Sequence, residues 1–349
     1  MQNELIVTDT LNLILPRSIN HPLSDLSYFW SHDGESFSFL SRGSLDSLFI
    51  NRYAPTKGWL KTLVRPYGPN QVYSAGAFAF NSDTSFYYFP STVSKILSIN
   101  SLDGKVYEEF DYSPLRLERI RRNNNRASIY VGQGLIGFDL VEYRPLEEES
   151  TFYESFIYGL YKSDSLHKII RYPEEFHGKV WSSNDVDRNS VVVDEKIYFN
   201  FSKSPYIYVY DFEGEMLGKH KVGSDRIKES ESGRVDNAEI NMFRRENNGY
   251  YTNLIYDKWR KVFYRIGIYY DTKEQMYDIK DLARIAKKRM VTITTFNKDF
   301  KTLAYNEFAL NSKMDERLCF VNEEGLFLLN RGAKTEDDLN FYQLNLVSN

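Results

Sequence analysis

Between Tyr250 and Tyr270 the chain reads YYTNLIYDKWRKVFYRIGIYY, two runs rich in Tyr, Ile, Phe and Val around the polar break Asp257-Lys258-Trp259-Arg260. Aromatic and β-branched side chains suit a pleated strand, and a polar break between two such runs suits a tight antiparallel turn. Apolar residues fall on both parities, as in Val262-Phe263-Tyr264, so both faces of this hairpin are expected to be covered. A sheet buried on both sides, in a chain with few helical patterns, needs other sheets stacked against it. A β-propeller meets that need.

The rest of the chain repeats short strands at propeller spacing. Leu26–Ser31, Ser36–Ser41, Ser47–Tyr53 and Trp59–Val64 form one set, with Asp33-Gly34, Arg42-Gly43 and Pro55-Thr56-Lys57-Gly58 as turns. Val72–Phe80, Ser85–Phe89, Lys95–Ile99 and Lys105–Tyr112 form a second. The third is looser, Ala127–Val131, Leu135–Tyr143, Ser155–Tyr161 and His167–Tyr172, with an acidic insertion at Glu147–Glu149. Ser190–Val193, Lys196–Phe201, Tyr206–Tyr210 and Met216–Val222 make the fourth; the opening hairpin with Val291–Phe296 and Lys301–Asn306 makes the fifth. The sixth, Leu318–Val321, Leu326–Asn330 and Phe341–Leu346, is one strand short, and Asp9–Leu15 near the start has no neighbour to pair with. The expectation is a single all-β domain over 1–349, a six-bladed propeller whose ring is closed by the N-terminal strand on Phe341–Leu346. Turns at Gly58, Gly104, Asp164, Gly214 and Asp299 recur at intervals of about 46 to 50 residues where no insertion intervenes. Length alone also permits seven blades, and a two-domain all-β protein is the alternative.

One insertion, about 271–289, has a helical pattern. Ile279, Leu282, Ile285 and Ala286 share a stripe, acidic residues lie early, and Lys287, Lys288 and Arg289 lie late, which complements the helix dipole. It joins the second and third strands of the fifth set, on the end of the propeller that carries the connections between blades. Its stripe is expected to dock beside the channel mouth.

Composition narrows the function classes. A 16% aromatic content, with 27 Tyr and 24 Phe against 19 Gly and 10 Pro, points to β structure rather than disorder. The net charge of −4 argues against general nucleic-acid binding, which needs a basic surface. Cys319 is the single cysteine, so neither an intrachain disulfide nor a cysteine zinc site is available. No apolar run reaches the ~18 residues of a membrane-spanning helix. The first residues, Met-Gln-Asn-Glu-Leu-Ile-Val, lack a signal pattern. The chain is therefore cytoplasmic if Met1 is the native start, or a signal has been removed.

The stretch Tyr256-Asp257-Lys258-Trp259-Arg260-Lys261-Val262-Phe263-Tyr264-Arg265 resembles the YDxxRxxYYR segment of the bacterial family known as domain of unknown function 4221. Gly68-Pro69-Asn70-Gln71-Val72 and Asp83-Thr84-Ser85-Phe86 resemble its GPNGV and DSIF segments, with Gln71 and Thr84 departing from the pattern. The resemblance spans nearly the whole chain. It implies a six-bladed propeller-like lipoprotein of the cell envelope, periplasmic or outer-membrane, touching the membrane only through a removed lipid anchor. It implies no activity and no catalytic residues.

Several groups are candidate binding residues. Arg265 lies on a strand covered on both faces, so its guanidinium needs a carboxylate or carbonyl partner; a structural pair and an anion site are both open. Asp257 and Arg260 occupy a turn that they can stabilise together. Arg116, Arg119, Arg121, Arg122 and Arg126, with Asn123, Asn124 and Asn125 among them, read either as a solvated loop or as a site for phosphate, sulfate or acidic sugar. Asn184, Asp185 and Asp187 precede an inner strand and read either as a turn or as oxygen ligands for a hard cation such as calcium. The five histidines show no HxxxH or HxH spacing, and no GxSxG, Walker or GxGxxG pattern occurs. The reading is a non-catalytic protein that binds a small molecule, a glycan or an envelope protein, with no cofactor and no metal. The alternative is a metal-assisted lactone or ester hydrolase with its site at the central channel and calcium as the ion.

Overall fold

The computed structural model describes residues 3–14, 30–32, 37–42, 47–54, 58–66, 76–82, 85–90, 95–100, 105–111, 117–120, 122–123, 126–127, 129–142, 151–162, 165–178, 181, 186–229, 247–271, 288–309, 314–330 and 338–348. These are overwhelmingly strand; α1 (Thr151–Glu154) and a 3-10 turn at Glu174–Phe176 are short exceptions.

Strand β1 (Asn3–Ile14) comes first. One antiparallel sheet follows in chain order, β2 (Trp30–His32), β3 (Phe37–Arg42), β4 (Ser47–Ala54) and β5 (Gly58–Pro66). The next is β6 (Gly76–Ser82), β7 (Ser85–Pro90), β8 (Lys95–Asn100) and β9 (Val106–Asp111). β10 (Leu117–Ile120) precedes a two-stranded ladder of β11 (Arg122–Asn123) and β12 (Arg126–Ala127). The third large sheet has β13 (Ile129–Gly132), β14 (Leu135–Glu142), β15 (Phe156–Lys162) and β16 (Ser165–Arg171). β10 was not foreseen in the sequence. It pairs with 140–142 of β14, whereas β13 pairs with 135–138, so this sheet's first strand comes in two pieces. Then come β17 (Arg188–Val193), β18 (Lys196–Phe201), β19 (Tyr206–Tyr210) and β20 (Met216–Lys221), followed by β21 (Tyr250–Asp257), β22 (Val262–Tyr270), β23 (Arg289–Asn297) and β24 (Thr302–Ala309). The last sheet runs β25 (Met314–Asn322), β26 (Gly325–Asn330), β27 (Asp338–Ser348) and then β1.

The N-terminal strand therefore does lie outermost on the last sheet. Its register runs from Asn3 opposite Ser348 through Leu11 opposite Phe341 to Ile14 opposite Asp338, longer at its start than the sequence suggested. Leu5 is buried and joins the core. On its open edge, the Leu5 N–H donates to Asn306 Oδ1 (3.0 Å) and its carbonyl accepts from Asn306 Nδ2 (3.3 Å). The Asn306 carboxamide thus stands in for a strand partner at one point of an edge that pairs with no other strand among the described residues.

First strands pack on first strands. β2 lies against β6, β6 against β13, β13 against β17, β17 against β21, β21 against β25, and β25 against β2. The core is the series of seams between sheets, and alternation along each strand feeds two seams at once. Along β22, Val262, Tyr264, Ile266 and Ile268 point one way; the first three pack with Leu326 and Leu328 of β26. Phe263 points the other way, against Tyr198 and Val209. Both faces of the central hairpin are covered, as its sequence demanded. The fold is a β-propeller.

The two ends of the sheets differ. At one end the connections are tight, the longest of them 101–105 and 211–215. At the other, successive strand ends are separated by longer stretches of sequence, 15–29, 67–75, 143–155, 172–187, 222–249 and 271–288. The tight turns of neighbouring sheets touch: Gln133 donates to Glu195 (3.0 Å), Lys298 pairs with Asp194, and Arg260 reaches the Asn322 and Glu323 carbonyls. The expected helix within 271–289 lies outside the described residues over 272–287. Its ends are described: Asp271 N–H bonds the Lys288 carbonyl (2.9 Å). Arg289 is a correction. It is the first residue of β23, opposite Tyr270, because the ladder with β22 extends to that register.

Candidate functional site

The stretch that carries the family resemblance turns out to be a fastening. Asp257 ends β21 and is fully buried. One carboxylate oxygen accepts from the Trp259 and Arg260 N–H groups (3.0 and 2.9 Å) and so caps the turn. The other accepts from Arg260 Nη1 (2.9 Å) and the Tyr264 hydroxyl (3.1 Å). Arg260 continues across the seam, donating to the carbonyls of Asn322 (3.1 Å) and Glu323 (2.8 Å) on the β25–β26 turn. Lys261 completes the reversal with φ of 55°. Burial and the Asp257 charge both push the Tyr264 phenol above its ordinary range.

Arg265 fastens the opposite seam. It is fully buried, as its covered strand predicted. Nε donates to Asn200 Oδ1 (2.8 Å); Nη1 donates to the carbonyls of Pro205 (3.0 Å) and Val222; Nη2 donates to those of Ser204 (2.6 Å) and Tyr206 (3.4 Å). A guanidinium has five N–H groups. All five have an acceptor, which leaves no donor for an incoming anion and supports the structural role. Burial pulls its pKa down to about 10. Gly267, two residues on, makes room for this arrangement: a Cβ there would meet Ile227 and come within 3.0 Å of the Tyr251 ring.

Other interior polar groups join seams in the same way. Asn200 donates to Asn189 Oδ1 (2.9 Å), and Asn189 donates to the Leu254 carbonyl (3.1 Å). Asn253 donates to the Glu316 carbonyl (2.8 Å). Arg188, buried, donates to the Tyr172 hydroxyl (3.0 Å) and the Leu140 carbonyl (2.6 Å), and Ser190 donates to Asp139 (2.7 Å). Arg289 pairs with buried Glu316 (2.7 Å). The sequence reading missed Arg188 and Asn200. Their only signal was a polar residue at the start of or within a strand-like run, RNSVVV or KIYFNF.

Of the remaining sequence candidates, Arg122 and Asp187 are among the described residues. Arg121, Asn124, Asn184 and Asp185 lie outside the described residues. Arg122 belongs to the ladder of β11 and β12, with Ala127 opposite. Asp187 is half-buried just before β17, and its carbonyl accepts from Ser202 N–H (2.6 Å). Among the described residues no three His, Cys, Asp or Glu side chains are grouped to hold a metal ion. Side chains that reach solvent at the long-connection end include Tyr153 on α1 and Arg171 at the end of β16. Neither was singled out in the sequence.

No family profile and no curated protein matches the sequence. Solved structures do match the fold. A member of the DUF4221 family from Bacteroides vulgatus superposes with a TM-score of 0.82 at 16% identity, covering 100% of this chain and 99% of that one. The family to which Tyr256–Arg265 pointed is thus the family of a protein that shares the fold end to end. More distant are the β-propeller domain of Cps50 (Swd1) from Myceliophteria thermophila, TM-score 0.42 at 10% identity over 98% of this chain and 100% of that one, and a putative 6-phosphogluconolactonase from Bacteroides uniformis, TM-score 0.43 at 11% identity over 91% and 88%.

Proposed function

We propose that this chain is a DUF4221-type binding protein of the bacterial cell envelope, without catalytic activity, folded as one six-bladed propeller closed by β1. The observation that carries the binding reading is the asymmetry of the two ends. Tight turns close one end, and the longer connections, 143–155, 172–187, 222–249 and 271–288 among them, leave from the other. Long connections on a rigid scaffold are where propellers and other β folds build recognition surfaces. The polar residues of the family-like stretch add support from the other direction, because Asp257, Arg260 and Arg265 are engaged in holding sheets together.

Six large sheets laid first strand to first strand, with β2 touching both β6 and β25, support the blade count; β1 outside β27 supports closure by the chain ends. The envelope location rests on the family resemblance, with any membrane contact through a lipid anchor upstream. A small molecule, glycan or envelope protein is the partner class. The acidic balance of −4 speaks against nucleic acid. The test is a panel of glycans, organic anions and envelope extracts, followed by hydrogen exchange on the complex. Protection gathered at the long-connection end is expected. Protection at the tight-turn end, or turnover of a lactone or ester substrate, overturns the reading.

A further inference from the structure

We propose that Tyr153, backed by His177 and flanked by Arg171, is a saccharide-binding subsite. This rests on the binding reading above and names its ligand class. Tyr153 is 46% exposed. The other exposed large apolar side chains, Ile6, Val7, Val106, Met216, Leu217 and Tyr305, sit on the outermost strands β1, β9, β20 and β24. Among the described residues, Tyr153 alone of this group stands on a connection, the one between β14 and β15.

Its ring is held rather than loose. The His177 ring lies 4.6 Å away at 39°, and His177 is itself fixed by a 2.9 Å hydrogen bond between Nε2 and the Tyr172 carbonyl. Gly178, at φ of 65°, lies beneath the phenol: a Cβ there would come 2.9 Å from the Tyr153 hydroxyl. His177 and Gly178 belong to the 172–187 connection, so two neighbouring connections at the same end build one aromatic platform.

Arg171 stands at its edge. One N–H of Nη1 donates to the Tyr153 carbonyl (2.9 Å), and the guanidinium carbon lies 4.4 Å from the centroid of the Phe156 ring. Its other N–H groups have no partner among the described residues. This differs from Arg265 and Arg260, whose donors hold seams together. A preorganised exposed phenol offers its face to the C–H side of a pyranose ring. Unoccupied guanidinium donors at the edge offer hydrogen bonds to ring hydroxyls, and a charge-assisted bidentate pair to a ring carboxylate. A carboxylated sugar is therefore the stronger ligand.

The experiment is calorimetric titration of the whole chain with glucuronate-containing oligosaccharides, uncharged glucose oligosaccharides and an acidic peptide. Binding of both saccharides is expected, the carboxylated one tighter. Tyr153→Ala should weaken both by about tenfold, roughly the loss of one stacking contact, while Tyr153→Phe keeps them. Arg171→Gln should remove the preference for the carboxylated sugar. Thermal unfolding should be nearly unchanged in the two Tyr153 variants, whose side chain reaches solvent, and only slightly lowered in Arg171→Gln, which loses the bond to the Tyr153 carbonyl and the contact with Phe156. Saccharide binding that survives Tyr153→Ala overturns the subsite and leaves the binding reading standing. Binding of the peptide alone, or of no saccharide, also overturns it; the wider ligand panel then judges the binding reading separately.

Discussion

The guanidinium carbon of Arg265 lies 3.5 Å from the centroid of the Tyr251 ring, on the face of the β21–β24 sheet that meets the β17–β20 sheet. The ring stands where a counter-ion would be expected, for the hydrogen-bond partners of Arg265 are Asn200 and four carbonyls rather than a carboxylate. A buried charge without an opposite charge loses solvation, and the pKa near 10 registers that loss. Direction compensates for it. The planar fork satisfies the bend at 204–206 and the start of the 222–249 connection at once, and the π-face supplies a weaker attraction.

Replacing Arg265 should therefore loosen a whole seam. Arg265→Met strands buried carbonyls and Asn200 without donors, and a loss of about 3 kcal/mol is expected. Arg265→Lys should recover little, because three donors on one nitrogen cannot span carbonyls that far apart. Urea unfolding of the three proteins checks this. An unchanged midpoint for Arg265→Met would end the clamp account.

Alkaline pH should destabilise the fold. Burial first, then hydrogen bonding to Glu307, pushes Tyr269 up to about 12, and burial likewise raises Tyr158, Tyr208, Tyr210 and Tyr264. Where the unfolded chain has lost these protons, near its ordinary value of 10.0, the folded chain still holds them. The native state then binds more protons, so stability is complete below about pH 10 and falls as pH rises through 10 to 12. Phenolate absorbance followed beside circular dichroism tests this: the buried phenols should ionise only as the fold is lost. Ionisation of all 27 tyrosines near pH 10 in a folded chain would contradict it.

Much of the strand pattern was legible because period-two alternation and turn residues are local. Lys196–Phe201 and Tyr206–Tyr210 fall where the sequence put them. The partner of the first strand could be inferred from a shortage alone: the last set lacked a strand and the start had one to spare. β10 was not legible, because its pairing with 140–142 depends on a tertiary approach and its sequence, LERI, carries no alternation. The burial of Arg265 was readable from its neighbours, but its carbonyl partners at 204–206 and 222 come from another sheet. The Tyr153 platform was hidden for the same reason, since Tyr153, Arg171 and His177 are brought together by the packing of separate connections.

Removing residues 1–14 tests the role of the first strand. The loss would uncover β27 along its length and take Leu5 from the seam it shares with Val262, Val291 and Leu328. It would also leave Asn306, buried among these groups, without the Leu5 backbone. The truncated chain should unfold at lower temperature in a single transition. Two transitions, or an unshifted one, would show that β1 is an appendage to the last sheet.

The Asp257–Arg260 turn offers the sharpest test of whether the family-like stretch is structure or site. Asp257→Asn keeps the shape but turns one acceptor into a donor facing Arg260 Nη1 and the Tyr264 hydroxyl. Arg260→Ala removes the reach to Asn322 and Glu323. Each should destabilise by about 2 kcal/mol, and because the two groups share a hydrogen bond, the double variant should fall short of the sum by about 1 kcal/mol or more. Urea unfolding of the four proteins gives that coupling directly. Ligand affinity per folded molecule should not change in any of them, since the turn lies at the tight end of the sheets, away from the connections proposed to bind. A variant that keeps full stability while losing a ligand would reverse the assignment and make this turn the site.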